Sequence, residues 1–158
     1  METLQNYLAS HSFFEGMAEK HVEFLASCAK NVRFDYGQYV FRENQSAEKF
    51  YLIEKGRIAL EIFSPLEGSI TIQMVDEGEV LGWSWLIPPY RWSFDARAIW
   101  VTRAIVLDAA CVRHKCEGDH DLGYELYKRV GPLIAKRLNA TRLQMQNLYR
   151  HADSAGHA

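Results

Sequence analysis

The alternation of apolar and polar positions changes period twice along the chain, and each change marks a boundary. In residues 2–30, Leu4, Leu8 and the Phe13-Phe14 pair lead into Val22, Leu25 and Cys28 at the spacing of a helix face. From Asn31 onward, short runs rich in β-branched and aromatic residues recur: 32–36, 38–42, 50–53, 58–63, 70–75, 94–101 and 103–107. Turn signals separate them, among them Asp35-Tyr36-Gly37, Glu54-Lys55-Gly56, Pro65-Leu66-Glu67-Gly68 and Asp76-Glu77-Gly78. Many short strands joined by glycine turns predict an antiparallel sandwich or barrel. After Asp108 the helical period returns. Asp108 is placed to cap a helix over 109–116, and Asp119 or Asp121 to open a longer one reaching about Arg150. Gly131-Pro132 lies inside that helix and is expected to kink or divide it, because proline lacks the amide donor and crowds the preceding turn.

The long helix carries the clearest periodicity. Tyr127, Gly131, Ile134, Leu138, Thr141, Met145 and Leu148 follow the alternating four-three spacing of a coiled-coil seam. Leu126, Val130, Leu133 and Ala140 form a second apolar face. One face is expected to pack on the domain and the other to meet the same helix of a second copy, giving a homodimer. The thirty residues from Asp121 to Arg150 would span about 45 Å if straight, more than one small β-domain covers. Residues 151–158 are small and polar and are expected to form a flexible tail.

Length and composition narrow the class. At 158 residues, 48% hydrophobic and 24% charged, the chain suits one globular domain over 1–150, with helices in 1–30, a β-region in 31–108 and helices in 109–150. A net charge of −2 excludes a globally basic nucleic-acid binder. Residues 34–81 hold four basic and nine acidic side chains against six and three in 119–150, an excess read as the solvated face of the helix. The N-terminus is polar and acidic where a signal peptide is basic and apolar, and no run approaches the roughly 18 apolar residues of a membrane span. With three cysteines (Cys28, Cys111, Cys116) and no disulfide framework, a reduced, cytoplasmic protein is expected.

Catalytic signatures are weak. Gly82-Trp83-Ser84-Trp85-Leu86 begins like a nucleophile elbow but lacks its second glycine. Cys111, His114 and Cys116 cluster without the second ligand pair of a zinc site, so a short packing helix is expected there and no metal. No phosphate-loop or dinucleotide fingerprint is present, and a non-catalytic protein is expected.

Three stretches then carry a resemblance. Phe41-Arg42-Glu43-Asn44 with residues 50–58 is similar to a strand–turn–strand with a structural glycine. Gly78-Glu79-Val80-Leu81-Gly82 is similar to the entry into a phosphate-binding cassette, and Asp95-Ala96-Arg97-Ala98 to the strand leaving it. In this order they resemble the cyclic-nucleotide-binding domain of the catabolite-activator (Crp/Fnr) superfamily, over about residues 10–150. The resemblance implies a mainly β, α+β fold: an antiparallel β-roll (double-stranded β-helix, jelly-roll-like) with its cassette at 78–98, flanked by N-terminal helices and a long dimerisation helix. It implies a regulatory sensor for a cyclic nucleotide, cAMP or cGMP, or for another small ligand.

The resemblance also shows departures. In the family, a glutamate after the second cassette glycine accepts from the ribose hydroxyl, and an arginine neutralises the phosphate. Here the glutamate position is Trp83 and the arginine position Trp92, with Arg91 before it and Ser93 after it. An indole donates one hydrogen bond and accepts none, so the sugar loses its acceptor at a cost of about 1–3 kcal/mol. A short helix over 83–87 would aim its positive end at an anion. Arg137-Leu138-Asn139-Ala140-Thr141-Arg142 resembles the segment whose threonine contacts the base across the dimer. The candidate ligand site is therefore Gly82, Trp83, Ser84, Trp85, Leu86, Arg91, Trp92, Ser93, Thr141 and Arg142, with Gly131-Pro132 as its hinge. All four tryptophans fall within residues 83–100. Trp83, Trp85 and Trp92 either line a rebuilt pocket or fill a vacated one, the second reading making the chain a degenerate dimerisation or protein-interaction module. Relatives that are transcription factors follow the long helix with a helix-turn-helix module. Only eight residues follow Arg150, against the roughly 50 an independent module needs, so no direct DNA binding is expected from this chain, which would be either a free-standing sensor domain or the sensor half of a longer regulator.

Overall fold

A computed structural model describes residues 3–156, with side chains described through Arg150. Two antiparallel four-stranded sheets face each other. One has the order β1-β8-β3-β6 and the other β2-β7-β4-β5. The strands are β1 (Ala29–Phe34), β2 (Tyr39–Phe41), β3 (Lys49–Lys55), β4 (Arg57–Ser64), β5 (Gly68–Asp76), β6 (Val80–Leu81), β7 (Asp95–Ala98) and β8 (Thr102–Asp108). The crossovers wind the chain between sheets, which is the jelly-roll-like β-roll expected. Seven of the eight strands correspond to the runs read from the sequence. Only β6 has no counterpart there, because two residues are too short to show an alternation.

The N-terminal segment is helical in pieces. Helix α1 (Leu4–Ser10) and a 3₁₀ turn (Ser12–Phe14) precede α2 (Glu19–Ser27). The Phe13 and Phe14 rings pack edge-on against Phe50 of β3, 5.5 and 6.4 Å between centroids, closing one end of the roll. His11 joins the first two pieces: its Nδ1 accepts from Phe13 N at 3.1 Å, while its buried Nε2 has no partner among the described residues.

Adjacent strands of the second sheet are tied by ion pairs across the register. Glu61 of β4, nearly fully buried, accepts two bonds from Arg97 of β7 at 2.9 and 3.1 Å. This bidentate bond raises the arginine's pKa further above its ordinary value. Asp95 likewise accepts from Glu43 N and Arg42 Nε.

Asp108 caps α3 (Ala109–Gly118) as expected, accepting from Cys111 N at 3.1 Å. Asp119 opens α4 by accepting from Leu122 N. Helix α4 is continuous from His120 to Gly156, so Pro132 does not divide it. Gly131 and Pro132 are exposed, and a Cβ on Gly131 would meet nothing within 4 Å. The carbonyl that loses its donor at Pro132 therefore faces solvent, which satisfies it. The helical backbone also runs on through Gly156, into the segment expected to be a tail; residues 157–158 lie outside the described ones.

The two faces of α4 separate only in part, since Ile134 of the expected seam packs on the core margin and Tyr127 bonds Leu86. Leu122, Leu126 and Val130 are buried in the core, with Leu133 and Ile134 packed at its margin. Tyr127, Leu138, Met145 and Leu148 are exposed.

The β3–β4 hairpin turns at Gly56 directly over Thr102. The threonine Oγ1 accepts from Arg57 N at 3.2 Å and donates to Trp100 O at 2.9 Å. Gly56 has φ +123°, and a Cβ there would lie 2.6 Å from Thr102 Cα, a contact no side-chain rotation relieves. Gly56→Ala is expected to cost about 2–4 kcal/mol in denaturant unfolding; a midpoint equal to wild type would contradict this geometry. His11 gives a pH-dependent expectation. Burial holds its pKa below the ordinary 6.5, so the unfolded chain takes up a proton that the folded one resists. Its stabilising effect is present above the unfolded value and is lost as pH falls through and below it. The thermal midpoint should therefore fall less steeply from about pH 7 to about pH 5.5 in His11→Asn, whose side chain still accepts from Phe13 N, than in wild type. Equal slopes would show that His11 takes up its proton alike in the folded and unfolded chain, against a lowered folded value.

Candidate functional site

The cassette begins where β6 ends. Gly82 adopts φ +80°, and residues 83–86 make one turn closed by Leu86 N to Trp83 O at 2.9 Å. The short helix expected over 83–87 does not form. Pro88 has no amide hydrogen to bond back to Ser84, and Trp85 is drawn inward, so a single turn is all that propagates. A cis Pro88-Pro89 peptide and Tyr90 at φ 57° then return the chain to β7. The return is pinned by Ala47 N to Tyr90 O at 2.7 Å, Trp92 N to Gln45 O at 3.0 Å and Asn44 N to Trp92 O at 2.8 Å.

The tryptophans take separate roles. Trp85 is fully buried and stacks on Phe50 with centroids 4.4 Å apart, making it part of the core beneath the cassette. Trp92 is 4% exposed and lies flat on Phe41, 3.8 Å away at an interplanar angle of 6°. Its ring edge approaches Gly82 so closely that a Cβ there would sit 2.7 Å from Cζ3. The glycine backbone that would receive an anion is thus covered by an indole. Trp83 is half-buried and faces the guanidinium of Arg137 at 5.0 Å, with Phe94 on that guanidinium at 5.1 Å. Trp100 is exposed at the opposite corner near Arg57 and has no part in the cassette.

What remains between Gly82, Trp83, Ser84, Trp92, Phe94 and Arg137 is a cavity of about 10 Å³. That is room for about one water, whereas a small-molecule ligand needs about 300 Å³ or more.

Arg137 is the group that sequence reasoning missed. It projects from α4 into the cassette, is 6% exposed, and donates through Nε to Gln73 Oε1 of β5. Burial pushes its pKa down to about 10, partly offset by the Glu79 carboxylate, so it is charged at neutral pH. Glu79 itself is bonded to Lys136 at 3.3 Å, and among the described residues no carboxylate lies within ion-pair distance of Arg137. The available signal was its position: Leu126, Val130, Leu133 and Arg137 share one helix face, so a charge interrupts a buried stripe.

The other expected site residues are dispersed. Arg91 turns away and donates to Asn44 O at 2.7 Å, and Ser93 is exposed. The Leu86 carbonyl points to the back of the cassette, where it accepts from Tyr127 at 3.3 Å. Thr141 donates to Arg137 O at 3.0 Å within its own helix, and Arg142 is exposed and bonded to Asn139. Gly82, Trp83, Ser84 and Trp92 are the members that come together, with Arg137 added. Ala135, Leu138, Asn139, Thr141, Arg142 and Met145 instead border a shallow, mainly apolar groove on the outer side of α4.

Among the described residues no cluster of three or more His, Cys, Asp or Glu is placed to hold a metal, and no helix is long and apolar enough to cross a membrane.

Known proteins share this fold. The sequence profile of the cyclic nucleotide-binding domain matches residues 31–119, from β1 to the start of α4. A structure from Geobacter metallireducens GS-15, described as a cyclic nucleotide-binding protein, is 26% identical. It aligns over 87% of this chain and 99% of its own with a TM-score of 0.77. The sensor domain of the transcriptional regulator DNR from Pseudomonas aeruginosa (18% identity, 85% and 91% coverage, TM-score 0.69) shares the fold. So does the Thermus thermophilus catabolite activator protein, at 21% identity, 87% and 62% coverage and a TM-score of 0.67. No curated protein sequence matches the chain. With the profile covering more than half its length and the β-roll, cassette and long helix in their order, the chain belongs to the cyclic nucleotide-binding domain family.

Proposed function

We propose that this chain is a non-catalytic, cytoplasmic regulatory module that pairs through α4 and whose nucleotide space is closed by its own side chains, so that cAMP and cGMP do not occupy the cassette. The observation that carries this reading is the Trp92 indole, stacked on Phe41 and covering Gly82. The sugar acceptor and phosphate arginine implied by the family are both replaced by tryptophan, and Arg91 is committed to a backbone carbonyl. Relatives named as the sensor domain of a transcriptional regulator and as a catabolite activator support the regulatory role.

Pairing is supported by the outer face of α4. Leu138 is 70% and Met145 52% exposed, and Leu148 follows at seam spacing. A second copy of the same helix supplies the complementary seam.

Arg137 favours a second reading, in which the module senses a small anion. A charged guanidinium held out of water by two aromatic rings and a neutral amide gains from any anionic group that reaches it. Such a ligand enters only when Trp92 swings off Gly82, and this displacement would be transmitted to α4 through Arg137 itself. Preference for the swung state is what would let a ligand bias the dimer.

Titrating the chain with cyclic nucleotides while following tryptophan emission and thermal midpoint separates these readings. Millimolar cAMP and cGMP are expected to leave both unchanged; a saturable shift with either would overturn the closed-cassette reading. A shift with inorganic phosphate that disappears in Arg137→Gln would establish the anion-sensing reading instead. Trp92→Ala is expected to lose about 3–5 kcal/mol of stability, because the hollow it leaves is lined by Phe41 and Phe94. The pair Leu138→Glu and Met145→Glu is expected to convert a dimer to a folded monomer in sedimentation, since both side chains are exposed within one chain; an unchanged mass would reject pairing through α4.

A further inference from the structure

On the side of the roll away from the cassette, the end of α2 meets the first turn of α3. Cys28, the residue closing α2, and Cys111, in the first turn of α3, bring their sulfurs to 3.0 Å although they are 83 positions apart in sequence. The backbone fixes this approach, because Asp108 N donates to Cys28 O at 3.1 Å and Asp108 in turn caps the Cys111 amide. A groove bordered by both cysteines, Lys30, Lys49 and Asp108 leaves the pair open to small solutes. The third cysteine, Cys116, lies a turn and a half further along α3 beside Gly123. From this geometry we propose that Cys28 and Cys111 are a redox-active pair that forms a reversible intramolecular disulfide on exposure to a peroxide.

The step needs only about 1 Å of further approach, since a disulfide bond is about 2.05 Å long. Burial, reinforced by the bond to Cys111, pushes the Cys28 thiol up to about 11, so it stays protonated near neutrality. Cys111 is exposed and borders the open groove, so its sulfur is the one a peroxide reaches first. Cys111 therefore attacks first. Its sulfur takes one oxygen of hydrogen peroxide, the O–O bond breaks, and the departing hydroxide is protonated to water. Cys28 then attacks the resulting sulfenic sulfur, losing its proton as the second water leaves. Two thiols are oxidised to one disulfide, and one peroxide is reduced to two waters. The bond ties the roll and α2 to α3, the helix that carries α4, so oxidation restrains the segment leading into the dimer helix.

The test treats the full chain with stoichiometric hydrogen peroxide, then maps peptides and counts free thiols. Wild type and Cys116→Ser are each expected to lose two thiols and about 2 Da, and to yield a peptide linking Cys28 to Cys111 that dithiothreitol separates. Cys28→Ser should instead gain oxygen on Cys111, and Cys111→Ser should leave Cys28 unmodified, both without the mass loss. The thermal midpoint of wild type should rise on the order of 10 °C on oxidation and return on reduction. Oxygen adducts on wild-type Cys28 or Cys111 without the linked peptide, or disulfides only between chains, would overturn the proposal.

Discussion

A β-roll built to hold a ligand has a hollow beneath its cassette, and the packing of this molecule depends on what occupies it. Here two aromatic stacks do so: Trp92 on Phe41 at the mouth and Trp85 on Phe50 below. Burying an indole removes about 150–250 Å² from water, so each stack contributes about 4–6 kcal/mol by area. The adjoining elements are arranged around these rings. The cassette is a bare turn because Trp85 is pulled into the core, and Gly82 is confined by the edge of Trp92. Arg137 has its guanidinium covered because Trp83 and Phe94 flank it.

Helix α4 is joined to the roll by polar contacts as well as by its apolar stripe. Tyr127 donates to the cassette at Leu86 O, Lys136 pairs with Glu79 just before β6, Arg137 bonds Gln73 of β5, and Gln144 donates to Thr71 O. These contacts extend over nearly five turns, so the cassette and the part of the helix with exposed apolar residues are mechanically continuous. On the other side Arg113 of α3 donates to Ala47 O and Trp85 O and lies over Tyr90. Both ends of the cassette are therefore held by the C-terminal helices.

Much of the fold was legible because it rests on local periodicity. Glycine turns bounded the strands, Asp108 capped its helix as its position indicated, and Leu126 and Val130 of the inner α4 face are buried while Leu138, Met145 and Leu148 of the seam are exposed. Features set by tertiary contact were less visible. The expected helix over 83–87 failed because core packing of Trp85 and Pro88 outweighed local propensity. Pro132 was expected to kink or divide α4, and whether it divides the helix depends on which side it occupies relative to water. Arg137 was hidden for a related reason: a charge on an otherwise apolar face is recognisable only once that face is known to point into the cassette. Reading Trp83 and Trp92 against the family pointed to the altered positions, but only the structure places Trp92 flat on Phe41 and over Gly82.

Gly82 changes how such cassettes are to be read. A positive-φ glycine there ordinarily suggests room left for a phosphate to approach the backbone. In this chain the same residue is indispensable for a different neighbour, since any Cβ would strike the Trp92 ring. The glycine would be retained whether or not an anion ever binds. In relatives of this type its presence therefore has little diagnostic value for nucleotide use, and the residue ten positions later is the one to inspect.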